Sequence, residues 1–190
     1  HIRYRKVGRK KAWEETFELA RQSGIPVHIS HEQVDAESAE LLEQVDREGI
    51  DLTFESYLYT AGMTHLTMLL PLEFQVGSME QRLEVLRRPE TREKSLPHLR
   101  DSLGEHGNQI VGYTGSGRFV GMTLAQAAES ERKSWEDFAY DLMIDDNGIE
   151  TFVFPWQTPP EAHEAPLNQT AVNPRMMIAS DGVYNIPHPH

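Results

Sequence analysis

Cysteine is missing from all 190 residues of this chain, so neither a disulfide nor a thiolate metal site can form within it. That absence leaves the compartment open, since a reduced cytosol and an exported disulfide-free protein both fit. No apolar run approaches the roughly eighteen residues that a membrane-spanning helix requires. Positive charge is scarce: 18 Lys and Arg stand against 30 Asp and Glu, a formal net charge of −12. Such a chain repels nucleic acid and anionic membranes at long range, and neither is an expected partner. There is no internal repeat and no low-complexity segment. The chain opens HIRYRK with neither Met nor a signal-peptide pattern, and it closes NIPHPH. Both ends read as cuts inside a longer protein, so the chain is expected to be a fragment. A cytoplasmic location is the expectation. What is present, 38% hydrophobic and 25% charged residues, suffices for a packed core of ordinary domain size.

Along the chain, residues 9–23 carry Ala12, Trp13, Phe17, Leu19 and Ala20 at helical spacing, and Gly24 supplies a stop. Residues 25–31 are β-branched and apolar, a strand. Residues 36–48 predict a second helix ended by Gly49, and 51–59 a second strand. Helix, strand, helix, strand with short connections favours parallel βαβ units. Residues 60–83 are irregular. Residues 79–103 are helical in stretches, broken by Pro89 and Pro97, and 109–115 and 118–123 read as short strands or loops around glycines. Residues 124–144 predict one helix with Thr123 as N-cap, stopped by the DNG at 146–148. ETFVFPW is a strand, 157–169 a polar loop, and 176–182 a last short strand.

Several residues can carry chemistry. His28 and His31 form an HxxH pair, but in a strand their side chains alternate, and His31 is expected on the face of Ile29. His31 stands last before a loop, where parallel α/β enzymes place ligands. Either histidine also fits as an ordinary strand residue. Asp181 ends an apolar strand in Ser-Asp-Gly, which suits a metal ligand, a general base or a plain turn residue. The PHPH at 187–190 offers an HxH in an extended segment and is most simply a loop. His65 reads as a packed histidine, and His98 and His106 as solvated ones. Asp145 and Asp146 read as solvent-facing at a helix end, and Trp13, Trp135 and Trp156 as packing residues.

Taken in order, HIR at 1–3, VHISH at 27–31, SYLYTAGMT at 56–64 and IASDGVYNIPHPH at 178–190 resemble the N-acyl-D-amino-acid deacylases (D-aminoacylases) of the amidohydrolase superfamily. That family shows a T-H-x-R strand end, an I-S-H about thirty residues on, a Y-P-Y-x-A-G-S-T segment, and an S-D-G with a P-H-P-R or P-H-P-H loop. The resemblance spans the whole chain, most loosely between about residues 65 and 175.

The resemblance implies an α/β fold, part of a distorted TIM (β/α)₈ barrel holding strands 5 to 8. The N-terminal barrel half and a β-sandwich domain would then lie outside this chain. His1 would end strand 5, His31 strand 6 and Asp181 strand 8. His1 and His31 would be ligands of zinc, one or two divalent ions in all, with Asp181 as the proton-transferring carboxylate. Tyr57 would contact substrate near the scissile carbonyl. Two positions depart from the pattern. Gln33 replaces a Lys that helps hold the substrate carboxylate, and Met63 replaces a Ser that makes another polar contact. The implied activity is zinc-dependent hydrolysis of the C–N bond of an N-acyl-D-amino acid. A cyclic amide, lactone or other ester is an alternative substrate, and a non-catalytic barrel homologue acting as a binding subunit is an alternative of another class. The implied partners are a small-molecule amide, the remainder of the same chain, and a further copy in a homo-oligomer.

Overall fold

A computed structural model describes residues 1–146, 151–157 and 160–182. The helices are α1 (Tyr4–Val7), α2 (Arg9–Ser23), α3 (Ala36–Glu48), α4 (Met79–Leu86), α5 (Pro89–Leu103), α6 (Leu124–Ser130), α7 (Trp135–Asp145) and α8 (Pro160–Ala171). The strands are β1 (Val27–Ile29), β2 (Leu52–Ser56), β3 (Ala61–His65), β4 (Ile110–Tyr113), β5 (Phe152–Gln157) and β6 (Met176–Ile178). No helix among the described residues is long and apolar enough to cross a membrane. The chain forms two compact units, one from His1–Thr60 with the return segment Thr158–Tyr184, the other centred on Ala61–Gln157.

In the first unit β1, β2 and β6 make a parallel sheet in that order, with Val27 opposite Leu52, Ile29 opposite Phe54, and Phe54 opposite Met176. The expected βαβ connection from β1 through α3 to β2 is therefore present. Helices α2 and α3 keep their predicted bounds because both ends are chemically marked. Gly24 and Gly49 close them in the left-handed region, where glycine lacks the Cβ clash. Asp35 caps α3, accepting from the Ser38 amide while the Ser38 hydroxyl accepts from the Asp35 amide. The apolar faces of α2 and α3 bury Trp13, Phe17, Leu41, Leu42 and Val45 with Ile29, Leu52 and Phe54 of the sheet. Thr53 and Glu55 alternate onto the opposite face, where His28 Nδ1 lies 2.8 Å from Thr53 Oγ1.

The second unit carries an antiparallel sheet ordered β3-β5-β4, with register shifts between Gly62 and Thr64 and between Val111 and Tyr113. Its core joins Leu66, Leu70, Leu86, Leu99, Leu124, Phe138 and Met143. The Tyr140 hydroxyl donates to Leu86 O at 2.7 Å, and burial pushes its phenol up to about 12 against the pull of Arg92. Gly107 lies against Trp135: a Cβ there would sit 2.6 Å from the indole, and its φ is +58°.

Several elements differ from expectation. The helix predicted over 124–144 is two, because Arg132 turns left-handed at φ 56° and Ser134 begins a new helix by accepting from the Asp137 amide. Pro97 does not break α5; Pro89 does open it, at the first turn where its missing N–H costs nothing. The loop predicted over 157–169 is largely helix α8. Thr170 near its end donates to Pro166 O at 2.7 Å and accepts from Val34 N at 2.8 Å. The strand expected over 25–31 pairs only at Val27–Ile29. The PHPH segment and the glycine of the DNG stop lie outside the described residues.

Candidate active site

Three segments leave the parallel sheet at its C-terminal edge, the edge on which α/β proteins assemble sites. Residues 30–35 follow β1, Tyr57 follows β2, and residues 179–182 follow β6. The two outer segments are fastened to the end of β2. Glu32 N donates to Glu55 O at 3.1 Å, and Ala179 N donates to Ser56 O at 3.0 Å. These two bonds draw the segments carrying His31 and Asp181 toward each other.

His31 Nε2 lies 3.6 Å from Asp181 Oδ1, and His31 Nδ1 lies 3.6 Å from Glu55 Oε1. The His1 and His31 rings are tilted with centroids 4.6 Å apart. Ile2 packs against the first unit's core, and Arg3 Nη2 pairs with Glu15 at 2.7 Å, so His1 is joined directly to an anchored stretch of chain. The Tyr57 ring lies 6.2 Å from His31 and stacks on Tyr59 at 5.5 Å. Burial first, and then the Asp181 carboxylate and Tyr4, hold the Tyr57 phenol above its ordinary value, so it is protonated at neutral pH.

Four non-glycine residues among those described have positive φ, and two of them are His31 at 60° and Asp181 at 48°. Backbone in this region is disfavoured for L residues and concentrates at functional positions. It also corrects the expected facing of His31. Strand alternation holds only through Ile29, which is buried toward the helices. The left-handed turn at His31 then carries its ring to Glu55, on the sheet face opposite Ile29 and Phe54.

A buried cluster holds the neighbouring residue. Glu32 is 4% exposed; Trp13 Nε1 donates to its Oε2 at 3.1 Å and the Arg9 guanidinium pairs with its Oε1. Arg9 also donates to Gln33 O at 2.9 Å and pairs with Asp35. Burial pushes the Glu32 carboxyl above its ordinary value, only partly offset by Arg9 and Trp13.

The remaining sequence candidates lie as follows. Gln33 is half-buried in the same segment as His31, with its carbonyl also accepting from Ser38 Oγ at 3.0 Å. Met63 belongs to the second unit, in the register shift of β3. Asp146, expected at the solvent, is buried and accepts from Gly115 N at 2.7 Å and Ser116 N at 3.0 Å, a loop anchor. Glu55 and Glu32 were not singled out by sequence. The available signals were a carboxylate at the end of an otherwise aromatic and β-branched strand, and a carboxylate next to the strand-end histidine.

The groups gathered here, the His1 and His31 imidazoles and the Asp181 and Glu55 carboxylates, are of the kinds that bind zinc and other divalent ions. Among the described residues no group of three His, Asp or Glu is arranged so that it could hold a metal ion. The His1–His31 pair fits as part of a coordination sphere, not as the whole of one.

No protein-family profile matches the chain, and no curated protein is detectably similar in sequence. Solved structures do share its fold. An N-acyl-D-glutamate deacylase from Bordetella bronchiseptica, crystallised with zinc and a phosphonate mimic of the tetrahedral intermediate, matches with a TM-score of 0.58 at 18% identity. That match covers 96% of this chain and 31% of the deacylase. Two D-aminoacylase structures, one a study of a binuclear metal centre, match with TM-scores of 0.53 and 0.51 at 21% and 20% identity. Each covers 90% of this chain and 29% of the D-aminoacylase. The chain thus spans under a third of the length of these structures.

Proposed function

We propose that this chain, which shares the fold of a portion of the D-aminoacylases, contributes part of the active centre of a divalent-metal-dependent amide hydrolase. The observation that carries the reading is the meeting of His31 with both His1 and Asp181 at the C-terminal edge of a parallel sheet. In this reading β1, β2 and β6 are the sixth to eighth strands of a (β/α)₈ barrel, and His1 follows the fifth. The remaining ligands and the rest of the barrel belong to the remainder of the same protein. His1 and His31 hold zinc, one or two ions in all.

A bound ion supplies Lewis acidity, which polarises an amide carbonyl and makes water easier to deprotonate. Asp181, half-exposed at its strand tip, takes the proton of the attacking water and returns it to the leaving nitrogen as the C–N bond breaks. Tyr57, kept protonated, donates to the carbonyl oxygen as it gains negative charge. Gln33 and Met63 stand where the D-aminoacylase pattern has a cation and a hydroxyl, so recognition of a substrate carboxylate is altered. That departure favours a second substrate reading, a cyclic amide or lactone.

Elemental analysis of the intact protein after exhaustive dialysis tests the proposal. One or two equivalents of zinc, lost in His31→Ala, are expected, with hydrolysis of one member of a panel of N-acyl amino acids, cyclic amides and lactones. Gln33→Lys with Met63→Ser raises turnover of N-acyl-D-amino acids if these are the substrates, and leaves it flat if a cyclic amide or lactone is. Failure to retain or take up any divalent ion would sink the hydrolase reading in favour of a binding subunit.

A further inference from the structure

We infer that Glu55 is a positioning residue for His31, receiving the proton on Nδ1 and so leaving Nε2 as the nitrogen available to a divalent ion. The inference rests on the metal-hydrolase reading above and adds a residue to which sequence assigned no role.

A neutral imidazole carries one N–H and one lone pair, and the partner of the first decides where the second points. His31 Nδ1 is buried and has no hydrogen-bond partner among the described residues. The carboxylate facing it is Glu55, 3.6 Å away, within ion-pair reach but longer than the roughly 2.7–3.2 Å of a formed hydrogen bond. The contact is poised rather than made, and a small rotation of either side chain completes it.

Glu55 is itself hard to explain otherwise. Its side chain is 16% exposed, and among the described residues no other side chain bonds or pairs with its carboxylate. A largely buried carboxylate with a single neighbour is costly unless that neighbour is a hydrogen-bond donor. Its main chain is fixed on both sides, in register with Met177 of β6 and accepting from Glu32 N. The Trp13–Glu32–Arg9 cluster clamps the residue next to His31, which anchors the segment that carries the ring. On the ring's other side Asp181 is 41% exposed and more fully hydrated. The better-shielded acceptor takes the imidazole proton, because the same bond is stronger at low local dielectric.

The test uses the intact protein with Glu55→Ala, Glu55→Gln and Glu55→Asp, and His31→Ala as the reference. Zinc affinity is read by competition with a chromophoric chelator, imidazole protonation by ¹⁵N chemical shifts of the zinc-loaded protein, and folding by thermal melts. Glu55→Ala is expected to weaken zinc binding on the order of 10- to 100-fold, with Glu55→Asp recovering part of the loss. Glu55→Gln, nearly the same shape, is expected to keep the melt and still bind zinc several-fold more weakly. His31 Nδ1 should show the shift of a protonated nitrogen. Folded Glu55→Gln and Glu55→Ala proteins within twofold of the parent in zinc affinity, with His31→Ala losing the ion, overturn the role of Glu55 and leave the metal reading standing. A zinc-bound Nδ1 does the same. Unaltered zinc retention in His31→Ala overturns the metal reading itself.

Discussion

His31 and Asp181 face each other across 3.6 Å although residues 61–157 of the second unit lie between them in the chain. Each sits just past its strand in a left-handed backbone conformation, and each segment is hydrogen-bonded to the end of β2. The strand between them in the sheet brings the two together.

That backbone conformation separates stability from activity. Asp181→Gly removes a Cβ from a φ of 48° and is expected to raise stability by up to roughly 1 kcal/mol in urea denaturation. The same substitution removes the carboxylate proposed to transfer the proton, and kcat is then expected to fall on the order of 10²- to 10⁴-fold. Asp181→Asn should show the rate loss without the gain in stability. A Gly variant with undiminished turnover would remove Asp181 from the chemistry.

Tyr57→Phe deletes one hydroxyl and leaves the ring stacked on Tyr59. If that hydroxyl donates to a developing oxyanion, kcat falls on the order of 10²-fold with KM little changed. Steady-state kinetics that showed a raised KM and an unchanged kcat would make Tyr57 a binding residue instead.

Trp13→Phe keeps an aromatic ring in a fully buried position but leaves Glu32 Oε2 without its donor. The expected cost is about 1–3 kcal/mol, read from the shift in denaturant midpoint. Trp13→Phe together with Glu32→Gln should cost less than the sum of the two singly, since both changes act on the same contact.

In the second unit burial works against the charge of Asp141, but bonds from Lys133 at 2.5 Å and from Arg92 outweigh it and hold the carboxyl below its ordinary value. A carboxylate with a lowered folded pKa stabilises fully above its unfolded value, and that contribution fades as pH falls through the folded one. Asp141→Asn is therefore expected to cost about 1–2 kcal/mol at pH 7 and much less in strong acid. A difference between parent and variant that stayed constant down to about pH 2 would contradict the ion-pair account.

The local signals were enough for α2 and α3. Their apolar spacing and closing glycines are written within a few residues of each other, and the structure keeps the bounds they predict. Where competing local signals overlap, pattern alone misplaces the boundaries. The Ser-Trp-Glu-Asp that starts α7 lay inside an unbroken helical pattern, and Pro160 and Pro166 suggested a loop where α8 forms. A proline at a first turn leaves a helix intact, whereas one inside it removes a bond and crowds the preceding turn, a cost that α8 bears at Pro166.

The ordered short motifs mark the residues proposed for the chemistry, His1, His31, Tyr57 and Asp181, and the βαβ alternation marks the parallel sheet. The turn of His31 away from the face of Ile29, the meeting of Glu55 with its buried nitrogen, and the anchoring of Glu32 beside it come from the fold. Those three facts depend on one left-handed backbone angle and on hydrogen bonds between segments far apart in the chain. Neither periodicity nor motif spacing encodes them, because both describe only neighbours along the sequence.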